Sequence, residues 1–182
     1  MESLSNLGGR QLLWKVDLDA GIVPSSAERL YVLFDGEVPV VTAQAMWERQ
    51  SYFDMVIECG EGTFQAHVPF DKPPPRSGVA WKLGQQTSIA GFVENSEMGA
   101  FIYGWIDTAS GRRLNMDVPN PFTVEYVVSS PAATRLFTIV PAGRMMIAAE
   151  GASDPELPGL VVLTLAVSFG QLMLLGKQMV NA

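Results

Sequence analysis

Residues 157–176 of this 182-residue chain, "LPGLVVLTLAVSFGQLMLLG", carry no charged side chain. Twenty helical residues rise about 30 Å, close to the thickness of a bilayer's hydrocarbon core. Such a stretch needs apolar surroundings, either a membrane or the middle of its own protein. Its content favours the second. Thr164, Ser168 and Gln171 recur at i, i+4 and i+7, a narrow polar stripe on one helical face. Gly159, Gly170 and Gly176 lower helix propensity in water. The flanks are poor interfacial anchors: Lys177 is the only cation after Arg144, and neither edge carries Trp or Tyr. A helix surrounded by sheet must be apolar on every side, and this one nearly is. The side chains expected to fill the interior are Leu160, Val161, Leu163, Leu165, Val167, Phe169, Leu172 and Leu174. The polar stripe then needs hydrogen-bond partners indoors.

What precedes the helix reads as strand. "LYVLFDGEVPVVT" is a hairpin with Asp35-Gly36 at the turn, where a type I′ geometry asks for positive φ. "DMVIECGEGTFQAHV" follows, with Gly60-Glu61-Gly62 as a three-residue turn. Phe64, Ala66, Val68 and Phe70 alternate with Gln65 and His67, the period of a half-buried strand. "DKPPPRSG" is a loop, because three prolines remove backbone donors. "FIYGWIDTASGRRLNMDV" turns at Thr108 to Gly111, and three further strands turn at Ser129-Ser130-Pro131 and Pro141-Ala142-Gly143. Short strands with a turn every ~8–12 residues indicate a sandwich or barrel. Ser153 or Asp154, followed by Pro155 and Pro158, marks the start of the helix, expected over 157–177. A helix with its side chains is ~10–12 Å across and fits the lumen of a large barrel. The expectation is one mainly β domain over 1–182: a closed antiparallel barrel of about 10–12 strands enclosing the carboxyl-terminal helix.

The net charge of −7 disfavours a nucleic-acid partner, since phosphate contacts need clustered Lys and Arg. A single cysteine, Cys59, allows no internal disulfide. The opening "MESLSNLGGRQLLWK" has no apolar run of signal-peptide length, which points to the cytoplasm.

The order of elements resembles the tubby C-terminal-like superfamily, which includes the phospholipid scramblases and the LURP-one-related proteins. The residues that carry the resemblance are "DPELPGLVVLTLAVSFGQLMLL" (154–175), "YGWIDTASGRRLNM" (103–116) and "RLFTIVPAGRMMIAAE" (135–150). It implies a closed barrel of about twelve strands around a hydrophobic helix. It also implies a non-catalytic binding or scaffold role at membrane lipid or a protein partner. The chain departs from the family in having Gly170-Gln171 where an acidic residue is common, and in having no cysteine cluster.

Few residues suggest chemistry. His67 is the only histidine, so any triad or histidine metal site would have to include it; as an outward residue of its strand it reads as solvent-facing. Cys59 reads as a small buried hydrophobe. Asp17 and Asp19 could begin a calcium loop, but the twelve-residue pattern is incomplete. Trp14, Trp47, Trp81 and Trp105 read as packing residues. Arg112-Arg113 is the only adjacent basic pair and is the candidate contact for an anionic ligand. No catalytic, cofactor or metal residues are assigned. The reading is a non-enzymatic binding domain without cofactor, its partner a membrane lipid or another protein. The alternative is a cytosolic β domain anchored in a membrane by residues 157–176.

Overall fold

The computed structural model describes residues 1–16, 29–48, 52–70, 75–95, 102–120, 122–141 and 143–180. A short 3-10 turn, Leu4–Leu7, leads into β1 (Gln11–Val16), β2 (Arg29–Asp35), β3 (Val38–Glu48), β4 (Tyr52–Cys59), β5 (Gly62–Pro69) and β6 (Ser77–Lys82). Then come β7 (Ser88–Glu94), β8 (Gly104–Thr108), β9 (Arg113–Asn120), β10 (Glu125–Ser129), β11 (Arg135–Ile139) and β12 (Arg144–Ile147). Two helices end the described chain, α1 (Ala149–Ala152) and α2 (Leu157–Val180). Each strand pairs antiparallel with the next, and β12 returns to β1 through Gln11–Met146, Leu12–Met145 and Leu13–Arg144. The sheet is a closed up-and-down barrel, and closure removes the unpaired edges that an open sheet must protect.

Local chemistry places most of the turns. Asp35-Gly36 joins β2 to β3, with Gly36 at φ 61°. The β4–β5 connection is tighter than expected: Gly62 pairs with Cys59 in the ladder, so only Gly60 and Glu61 form the turn. Pro75 and Arg76 lead into β6, while residues 71–74 of the expected proline-rich loop lie outside the described residues. α1 intervenes between β12 and the long helix, and Ser153 closes α1 instead of opening α2. Asp154 takes the capping role: its Oδ1 accepts the Glu156 N–H at 2.9 Å and its carbonyl accepts that of Leu157. α2 runs to Val180, three residues beyond the expected end.

Every second strand residue turns inward, as in Phe53, Met55, Ile57 and Cys59 of β4. Inside lies α2. Leu160, Val161, Leu163, Leu165 and Val167 are fully buried, and Phe169 is 5% exposed. Each such side chain contributes about 1.5–3 kcal/mol on leaving water. Leu172 is half-buried, and the side chain of Leu174 lies outside the described residues. The helix is not centred. It lies against β4, β5, β6 and β7. Several of the inner residues there are small: Ala66, Gly78, Ala80 and Ala90. On the opposite wall Met116, Tyr126, Phe137 and Ile139 fill the wider gap.

The polar stripe of α2 is satisfied mostly by the helix itself. Thr164 Oγ1 donates to the Leu160 carbonyl and Ser168 Oγ to that of Leu165. Gln171 reaches out of the helix and accepts the Ile102 N–H. At the lower end of the barrel, where α2 enters, the amino-terminal 3-10 turn seals the floor. Leu4 and Leu7 are fully buried, and the Glu61 carboxylate accepts hydrogen bonds from the Leu4 and Ser5 N–H groups and from Ser3 Oγ. Burial works against the charge on Glu61, but these three donors outweigh it and hold the carboxyl below its usual range.

Candidate functional site

The basic pair separates in space and in partners. Arg112, in the β8–β9 turn at the lower end, grips Asp154 bidentately at 2.8 Å and 2.8 Å and also contacts Glu156. Glu156 in turn accepts the Ser110 N–H at 2.9 Å and its hydroxyl at 3.0 Å. Burial penalises the Glu156 carboxylate, yet Arg112 and these donors hold its pKa below the usual value; the bonds to Asp154 first, then Glu156, raise that of Arg112. This cluster fastens the elbow before α2 to the barrel wall. Arg113 points to the outer wall, bonds Asp107 at 2.7 Å and 3.0 Å, and lies 5.2 Å over the Trp105 ring. Both guanidinium groups therefore face carboxylates of their own chain, and the doublet does not converge on one anion.

The remaining sequence candidates resolve as follows. His67 faces outward, is half-exposed, and its Nδ1 lies 2.6 Å from Asp54 Oδ1. Cys59 is buried, and burial, then the neighbouring Glu61 carboxylate, push its thiol up to about 12. Asp17 and Asp19 lie outside the described residues, as does the Trp47 side chain. Trp14 is buried, while Trp81 and Trp105 are half-exposed on the outer wall. Among the described residues no group of three or more His, Cys, Asp or Glu could hold a metal ion. Among them, too, no helix is long and apolar enough to cross a membrane.

A candidate binding surface lies at the upper end, where β1 finishes and the β11–β12 and β9–β10 turns meet. It is an open groove of about 710 Å³, walled by Leu13, Trp14, Val140 and Gly143, with Thr123 beside them. Lys15 and Arg144, both exposed, add two cations to this apolar lining. Arg144 Nη2 sits 3.6 Å from Glu125 Oε1, a partial neutralisation, and Lys15 Nζ lies 4.6 Å over the Phe34 ring. Trp14 is 5% exposed, and its Nε1 donor meets no acceptor among the described residues. Leu13 and Met146, outward residues on neighbouring strands, are 45% and 39% exposed.

Next to the groove the β9–β10 turn holds Phe122 with 96% of its surface in water. Asn120 Oδ1 accepts the Phe122 N–H at 3.0 Å, and Val124 follows at φ 49°, a conformation strained for a β-branched residue. The sequence reading missed this site because its parts come from three separate segments, around residues 13–15, 122–125 and the β11–β12 turn. The one local signal was an aromatic in the turn sequence Asn-Pro-Phe-Thr.

A second polar cluster lies inside the same end. Arg76 bonds Glu94 at 3.0 Å, and the Glu94 carboxylate, 6% exposed, also accepts the Arg76 backbone N–H at 2.7 Å. Burial and then the nearby Glu94 charge raise the pKa of Tyr126. This cluster braces the strand ends around the exit of α2. In comparisons with known proteins, no family model, no curated protein and no solved structure matches the chain.

Proposed function

We propose that the chain is a non-catalytic binding domain of the tubby-like, scramblase-like kind, docking peripherally on membrane lipid through the upper end of its barrel. The plan of the fold, twelve antiparallel strands around an apolar carboxyl-terminal helix, is the one that the sequence resemblance implies. The observation that carries the lipid reading is Phe122, 96% exposed beside an apolar groove with Lys15 and Arg144 in its lining. Aromatic rings favour the membrane–water boundary, and cations nearby suit anionic head groups. The overall charge of −7 opposes long-range attraction to an anionic surface, so apolar insertion is the larger driving force.

The tail-anchor alternative is less well supported. Residues 160–163 and 165–167 would have to leave an interior in which they are covered almost completely, and the barrel would be left hollow. Vesicle flotation of the full chain across neutral and anionic head groups tests the proposal. The intact chain is expected to float, and Phe122→Asp to reduce its recovery severalfold while leaving the thermal transition in place. Failure to float with every lipid composition would remove the proposal.

A further inference from the structure

We infer that the groove between β1, the β9–β10 turn and the β11–β12 turn is a binding site for one fatty-acid carboxylate, taken up as an individual molecule. This rests on the lipid-associated reading above and narrows it from a surface to a ligand.

Three observations carry it. The first is size: about 710 Å³ falls inside the range, on the order of 300–1,000 Å³, of pockets that hold a whole small molecule. The second is polarity. Leu13, Val140 and Gly143 suit an alkyl chain, and the polar side chains of the lining are led by two cations. An apolar body with one anionic end matches that arrangement.

The third is the charge balance. Glu125, 3.6 Å from Arg144, already offsets part of that guanidinium's charge. What remains, Lys15 and a shared Arg144, complements a single negative charge better than the roughly two carried by a phosphate monoester. Glu125 thereby acts as a competitor that a ligand's carboxylate must displace or share.

The experiment is calorimetric titration of the full chain with dodecanoate below its micelle-forming concentration at neutral pH, with dodecanol and a lysophosphatidic acid as parallel ligands. One saturable site for dodecanoate is expected. Lys15→Ala with Arg144→Ala should weaken it by about tenfold or more, because both charge-assisted contacts go. Glu125→Gln should tighten it about two- to threefold by freeing Arg144. Lys15 and Arg144 are exposed and Glu125 is half-buried, and an unchanged thermal transition verifies folding. Dodecanol binding as tightly as dodecanoate overturns the inference, as does an unaffected double variant or the absence of saturation. Tighter binding of the lysophosphatidic acid overturns the choice of a carboxylate. A chain that floats on vesicles yet takes up no dodecanoate loses this inference and keeps the membrane reading; uptake without flotation does the reverse.

Discussion

The side-chain oxygen of Gln171 accepts a hydrogen bond from the backbone N–H of Ile102 at 2.9 Å, tying α2 to the segment between β7 and β8. Both residues are 2% exposed, so no water stands ready to replace either group. Gln171→Met keeps the volume and orphans the Ile102 donor. The expected cost is about 1–3 kcal/mol, the desolvation penalty of an unsatisfied buried group. Urea unfolding should show a lower midpoint with an unchanged slope. An unchanged midpoint would mean that the contact is incidental.

At the other end of the helix, Arg112→Met removes the cation that pairs with Asp154 and Glu156, whose side chains are 3% and 11% exposed. Arg112 itself is 43% exposed, so water moderates the loss, and about 1–2 kcal/mol is expected at neutral pH. The pH dependence has a definite sign. Glu156 is held below its ordinary carboxyl pKa in the folded chain, so its stabilisation is complete above that value and disappears as pH falls through the lowered one. The gap between the native chain and Arg112→Met should therefore be widest near neutrality and shrink in acid. A gap that grows on acidification contradicts the assignment.

Gly170 faces Phe70 so closely that a Cβ at this position would run into the ring. Gly170→Ala would force the ring or the helix to move, at a cost of about 1–3 kcal/mol. Phe70→Leu in the same chain should recover part of the loss, giving a favourable coupling in a double-mutant cycle read by thermal unfolding. Simple additivity would show that the helix approaches the β5 wall less tightly than described.

Cys59 donates a weak hydrogen bond to the Gly62 carbonyl at 3.4 Å and is 5% exposed. With its thiol pushed up to about 12, almost none is thiolate at neutral pH, and the thiolate is the reactive form. An aromatic disulfide reagent should label the folded chain only at the rate of opening and label it at once in guanidinium. Rapid labelling under native conditions would show that the β4–β5 turn opens freely.

How much of this was legible beforehand follows the range of each interaction. Turns were legible where one or two residues decide them, as at Asp35-Gly36. Alternation over Phe64–Phe70 gave the correct inner face because a strand's period is local. The interior position of α2 could be read from its lack of a charged face, since a helix apolar all round must be covered all round. The floor was not legible: Glu61 meets Leu4 across 57 residues, and nothing in "SLSNL" announces a carboxylate partner. Arg112 and Asp154 are 42 residues apart, so the doublet showed its charge and concealed its neutralisation. The groove was least legible of all. Its lining is unremarkable in each segment and acquires meaning only when β12 closes on β1.

The rod that fills this barrel comes after all twelve strands in the chain. During translation the walls therefore emerge from the ribosome well before their contents. The residues of β4 and β5 that will hold α2 wait for a partner about a hundred positions downstream, with Phe53, Met55 and Phe64 meanwhile facing nothing of their own. Such long-range closure is slow and leaves greasy nascent sheet open to mispairing. Filling of the barrel thus waits on α2, and its yield in the cell should depend on chaperones that shelter the hollow intermediate until that helix has emerged.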